Sequence, residues 1–157
     1  MQKKILTFIA NNKKLLALYS ESHPEHGKGG WFTVTGAVEY NETYEEAVAR
    51  EMLEETGLDV EEIFPLNWGS IYNWKDNVCE EHNFISFIKP GKVALNEEHS
   101  EYKWLDLDDF IKLIKWDDDK EVLKKVLVKA LKKEKYFEEF EIKDYQRCNV
   151  RETNRNP

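Results

Sequence analysis

Residues 36–58 carry seven glutamates, Glu39, Glu42, Glu45, Glu46, Glu51, Glu54 and Glu55, against a single cation, Arg50. Of the chain's net charge of −8, this segment of 23 residues holds −6. Its ends are marked. Thr43 with Glu46 three residues on has the form of a capping box, and Gly57 supplies a C-terminal stop, so the spacing predicts a helix over 43–56. At 100° per residue, Glu51, Glu54 and Glu55 fall on one face, while Val48, Ala49, Met52 and Leu53 form an arc that packs on a sheet. Like charges three and four apart on an exposed helix destabilise it by about 0.2–0.5 kcal/mol per pair. Arg50 cannot neutralise three carboxylates. Either the face is fully solvated, or a hard cation compensates it; Mg²⁺ suits, since it takes oxygen ligands and keeps several waters.

The rest of the chain supplies the sheet. Lys3–Ala10 and Lys14–Tyr19 read as a hairpin around an Asn11-Asn12 turn. A loop over 21–30, with Pro24 and three glycines, leads into a strand at Trp31–Val38. Ile63–Trp74 and Asn83–Lys89 read as strands joined by a polar loop over 75–82, and Glu101–Leu105 as a short strand. Leu107–Lys115 and Asp119–Lys133 have helical spacing, the second with Val122, Leu123, Val126, Leu127, Ala130 and Leu131 in phase. Strands mixed with helices, without repeats or linkers, predict an α/β or α+β sandwich. Residues 1–135 form the domain. Residues 136–157 are a more polar C-terminal extension, packed in part and then loose, whose Tyr136, Phe137, Phe140 and Tyr145 could cover the sheet or a partner subunit, compatible with a homodimer.

At 157 residues and 41% hydrophobic, the chain suits one globular core. No apolar run reaches membrane-spanning length, and the N-terminal apolar stretch is too short for a signal peptide. Cys79 and Cys148 stand alone, without a disulfide framework or zinc spacing, consistent with a reducing cytoplasm. The acidic balance argues against nucleic-acid polymers and anionic membranes as partners.

Gly36, then Glu42 after five residues, then Arg50-Glu51-Met52-Leu53-Glu54-Glu55-Thr56-Gly57-Leu58 after seven more, resembles the complete Nudix box. The resemblance implies an α/β/α sandwich around a mixed sheet and a hydrolase that holds Mg²⁺ or Mn²⁺ against a diphosphate. It implies Glu51, Glu54 and Glu55 as metal ligands, one of them acting as base on the attacking water. Glu42 and Arg50 become the pair tying loop to helix, and Gly36 and Gly57 backbone positions. Where the family commonly has Gly before the first Glu, this chain has Asn41, which also tolerates the left-handed region. A further metal ligand is expected from outside the box. Glu98 is the favoured candidate over Glu97, Glu80 and Glu81, because Glu98-His99 followed by Tyr102-Lys103-Trp104-Leu105 resembles the corresponding segment of nucleotide-cleaving members. His99 itself is read as structural or solvent-facing.

The substrate is less sharply written. Val34-Thr35-Gly36 is similar to the branch cleaving nucleoside or pterin triphosphates to a monophosphate and pyrophosphate, whereas the Glu98–Leu105 segment is also similar to diadenosine tetraphosphate hydrolases. The first reading leads and the second is its alternative, ahead of a non-catalytic nucleotide-binding module. In either case the partner is a small nucleotide or related diphosphate. Trp31, Tyr72 and Trp74 are candidates for an aromatic face against a base, and Lys28, Lys13 and Lys14 for a phosphate.

Overall fold

The computed structural model describes residues 1–21 and 29–145. β1 (Gln2–Asn11) turns through Asn12 and Lys13, both at positive φ (49° and 68°), into β2 (Lys14–Ser20). The turn is one residue later than the Asn-Asn pair suggested; Asn11 still belongs to the strand, opposite Lys14. The strand expected over 31–38 is two strands, β3 (Gly30–Phe32) and β4 (Val34–Ala37), because they have different neighbours. β3 pairs with β2, while β4 pairs antiparallel with β1, Ile5 opposite Gly36.

Helix α1 (Tyr44–Thr56) begins at the capping box, with Thr43 Oγ1 accepting from Glu46 N and Glu46 Oε1 accepting from Thr43 N, and ends on Gly57 at φ 70°. β5 (Val60–Trp74) and β6 (Asn77–Ile88) form a long hairpin closed by Lys75 and Asp76, φ 49° and 64°. The polar loop expected over 75–82 is therefore mostly strand. Its polar side chains are held by neighbours: Tyr72 Oη donates to Glu81 at 3.3 Å, and His82 lies 2.7 Å from Glu80. β7 (Glu101–Leu105), α2 (Leu107–Leu113) and α3 (Lys120–Ala130) follow. Then β8 (Glu141–Tyr145), unforeseen from sequence, adds to the sheet parallel to β5.

The sheet has eight strands in the order β3-β2-β1-β6-β5-β8, with β4 beside β1 and β7 beside β2. β1 runs parallel to β6 and is buried on both faces. Its Leu6, Phe8 and Ala10 meet α2 and α3 in one core, and its Ile5 and Ile9 meet α1 in the other. The architecture is the mixed α+β sandwich that the element pattern predicts, with helices on both faces.

Candidate active site

α1 does not present its three glutamates to one environment. Ala47, Val48 and Met52 are its buried apolar residues, while Leu53, assigned from spacing to the packing arc, is 54% exposed. The helix is rolled so that Glu55 turns inward to 3% exposure, Glu51 is half-buried and Glu54 faces solvent. Gly36 makes the inward turn possible. A Cβ there would overlap the Glu51 carboxylate, so the missing side chain is the space that Glu51 fills.

Arg50 braces the arrangement. Its Nε and Nη2 donate to the two oxygens of Glu42 at 2.7 and 3.0 Å, a fork matched to a carboxylate. Nη2 also reaches Ala37 O at 2.8 Å, and Nη1 reaches Glu51 Oε1 at 2.7 Å and Glu54 Oε2 at 3.4 Å. Glu42 accepts from Glu39 N as well, which ties the loop together, and Asn41 sits at φ 64° as an asparagine can. The Arg50 hydrogen bond holds the Glu42 carboxyl below its ordinary pKa.

Inside, the balance reverses. Burial, with hydrogen bonding to Glu54, lifts the Glu51 carboxyl to about 7. Burial, then the charges of Glu98 and Glu51, lift Glu55 to about 10. Ligand atoms of Glu55, Glu98 and His99 lie within 4.8 Å of one another. His99 is 8% exposed, and its Nδ1 is 3.7 Å from Glu55 Oε1, beyond hydrogen-bond reach. Burial lowers the His99 pKa, so its ring is neutral and does not form an ion pair. Glu55 Oε2 and His99 Nδ1 have no hydrogen-bond partner among the described residues. Buried acceptors are ordinarily paired. These two orphans beside the Glu98 carboxylate are a donor set suited to a divalent cation.

These residues line a cavity of about 650 Å³ with Gly36, Thr35, Glu97, Lys4 and Trp74. Lys4 is not among the sequence candidates, yet it is 6% exposed and its Nζ lies 4.2 Å from the centroid of the Trp74 ring. The signal was its phase: Lys4 alternates with Leu6 and Phe8, so it points to the same side of β1. Of the aromatic candidates, Trp74 is in the cavity wall. Tyr72 shares its face of β5 and bonds Glu81. Trp31 packs on Tyr19 (centroids 5.3 Å apart) and against the α2–α3 core. Lys14 pairs with Asp106 at 2.8 Å. Lys28 lies outside the described residues.

The chain belongs to the Nudix family: the NUDIX domain model matches residues 2–126. It is 31% identical over 108 residues to the NAD-capped RNA hydrolase NudC of Mannheimia succiniciproducens, covering 67% of this chain but 39% of that protein. It is 25% identical over 138 residues to the dihydroneopterin triphosphate diphosphatase of Haemophilus influenzae, covering 78% of this chain and 84% of the relative. Among solved structures, the MutT protein from Methanosarcina mazei Go1 superposes with a TM-score of 0.64 at 21% identity, over 83% of this chain and 93% of that one. No helix among the described residues is long and apolar enough to cross a membrane.

Proposed function

We propose that the chain is a metal-dependent pyrophosphohydrolase that cleaves a nucleoside triphosphate-type substrate to the monophosphate and pyrophosphate by water attack at phosphorus. The observation that carries this reading is the pair of unpartnered buried atoms, Glu55 Oε2 and His99 Nδ1, beside Glu98 in the cleft. Glu51, Glu54, Glu55 and Glu98 would hold Mg²⁺ or Mn²⁺, which when bound neutralises the diphosphate and lowers the pKa of water. Arg50, itself clamped by Glu42, fixes the height of Glu51 and restrains Glu54. One of Glu51, Glu54 and Glu55 accepts the proton of the attacking water. Lys4 gives the cleft a cation against phosphate, and Trp74 or Tyr72 an aromatic wall. Lys28 is proposed as a further phosphate contact, whereas Trp31, packed on Tyr19, stands outside the cavity wall.

The relative that acts on dihydroneopterin triphosphate, matched along most of its length, supports a triphosphate. The domain proposed is 1–135, with the later residues an extension, in a cytoplasmic protein free to form a homodimer.

The test is a panel of nucleoside and pterin triphosphates, diadenosine tetraphosphate and NAD, with Mg²⁺ or Mn²⁺ and identification of the products. Pyrophosphate plus monophosphate is expected from a triphosphate. Preferred cleavage of diadenosine tetraphosphate supports the alternative substrate instead. Glu55→Gln and Glu54→Gln should each lower turnover by at least about 100-fold, the order expected when a charge-stabilising group is lost. Unchanged turnover in both would refute the carboxylate assignment.

A further inference from the structure

Just before β7, two consecutive residues bring ligand atoms to the cleft. The segment is held on both sides: Glu98 N donates to Asn96 Oδ1 at 2.9 Å, and Ser100 N donates to Tyr19 O of β2 at 2.9 Å. Between these fixed points stand Glu98, which is exposed, and His99, which is 8% exposed. His99 therefore does not face solvent; it belongs to the cavity wall, with Glu55 and Glu98. Its Nδ1 has no hydrogen-bond partner among the described residues, and neither has Glu55 Oε2. Ligand atoms of the three residues lie within 4.8 Å of one another, and His99 Nδ1 is 3.7 Å from Glu55 Oε1.

For the fold alone, a buried acceptor left unpaired is a cost that an apolar side chain at 99 would avoid. No N–H or O–H among the described residues reaches Nδ1 or Oε2. A cation that takes lone pairs from both side chains removes the deficit. Two bonds of about 2.1 Å to a shared ion allow donors up to about 4.2 Å apart, and the 3.7 Å between Nδ1 and Oε1 is within that span. We infer that His99 Nδ1 is a ligand of the metal, and that the Glu55–Glu98–His99 position is a mixed nitrogen–oxygen site preferring a first-row transition ion to Mg²⁺. Mg²⁺ takes oxygen and gives up its waters reluctantly, whereas an imidazole nitrogen suits transition ions. The carboxylates of the glutamate-rich helix contain no nitrogen donor, so the preference belongs to His99. The inference rests on the metal-dependent reading above and sharpens it: of the two ions named there, Mn²⁺ is the one favoured.

The ion itself reports its ligand. Mn²⁺ bound to the full chain is followed by pulsed paramagnetic resonance, where a directly ligated imidazole nitrogen modulates the electron-spin echo. The chain has four histidines: His99, His82 on β6, and His23 and His26, which lie outside the described residues. The modulation is expected in the parent, should persist in the His23→Gln/His26→Gln/His82→Gln variant and should vanish in His99→Asn. Asparagine puts an amide oxygen near the place of Nδ1, exchanging the nitrogen donor for a hard one. Competition of Mg²⁺ against Mn²⁺, read from the resonance of free Mn²⁺, should show Mn²⁺ affinity about 10-fold or more lower in His99→Asn, the least lost when groups supporting a metal ligand are removed, with Mg²⁺ affinity within about threefold of the parent. If His99→Asn does not fold, the triple variant decides alone, since its one imidazole is His99. Mn²⁺ that binds without imidazole modulation overturns the inference and leaves the carboxylate site standing. An equal fall for both ions in a folded His99→Asn overturns it as well. Absence of any bound Mn²⁺ in the parent refutes the metal-dependent reading and the inference with it. Imidazole modulation in a protein that hydrolyses none of the substrate panel supports the ligand and refutes the proposed activity.

Discussion

Glu55 makes the metal-free protein sensitive to alkali in a way that can be calculated. Between pH 7 and 8.5 the His99 ring is neutral in the fold, because burial lowers its pKa, and it is mostly neutral when unfolded. The Glu55 carboxyl, held up at about 10 by burial and by Glu98 and Glu51, keeps its proton in the fold. The same side chain in the unfolded chain loses it near pH 4.3. The folded state thus binds one more proton, and stability falls as pH rises, by about 1.4 kcal/mol per pH unit. From pH 7 to 8.5 the loss is about 2 kcal/mol, or roughly 4–8 °C in melting temperature for a chain of this size. Glu55→Gln keeps the shape and removes the titration. Calorimetric scans in chelator should show the wild-type melting temperature dropping relative to Glu55→Gln across this window, with the variant the more stable at pH 8.5. Saturating Mg²⁺ should restore the wild type and leave the variant largely unmoved. Parallel pH profiles for the two proteins without metal would refute the buried-proton argument.

The same protons should be released when a cation binds. Titration calorimetry of Mg²⁺ near pH 7, in buffers of different ionisation heat, should report release of about one proton or more, from Glu55 and in part from Glu51, whose pKa is about 7. Gly36→Ala puts a Cβ where the Glu51 carboxylate lies; turnover should drop by about 100-fold or more, as displacement of a reacting group does, while circular dichroism retains the fold. Glu42→Gln exchanges a charged fork partner of Arg50 for an amide and should cost about 1–3 kcal/mol in denaturant unfolding. Thr43→Ala removes the side-chain cap of α1 and should cost about 1 kcal/mol by the same measurement.

What could be read from the residues was what is local. The capping box, Gly57 and the Glu42–Arg50 spacing act within one or two turns of chain, and each is found where the sequence puts it. Helical periodicity could not say how α1 is rolled, because that depends on the Gly36 gap supplied by a strand that pairs with β1. Spacing therefore puts Leu53 inward, where the structure has it exposed, and does not separate a buried Glu55 from an exposed Glu54. The polar start of β6 read as a loop, since the partners that satisfy Glu80, Glu81 and His82 come from β5, β6 itself and α1. β8 has a single aliphatic residue, Ile142, exposed like Phe140 just before it, so it lacks the apolar density that would announce a strand. Lys4 was hidden for the opposite reason: a lysine near the N-terminus reads as solvated until its phase with Leu6 and Phe8 is noticed.

The position of β1 in the sheet has a kinetic consequence. Its hairpin partner meets it only at Ala10 and Asn11, whereas its long parallel edge runs against β6, with Gln2 opposite Cys79 and Ala10 opposite Phe87. Until residues near 87 can come back to it, the middle of the sheet has an open side. Closing that gap carries the loop entropy of more than seventy residues before the pairing contributes. Gln2 and Lys4 of β1 take their place in the cavity wall beside Trp74 of β5 only across that seam, so a chain that has folded its capped helix and its hairpins still has no cleft. The cleft is completed in the slow step, and partly folded molecules are expected to expose β1 before they can hold a ligand.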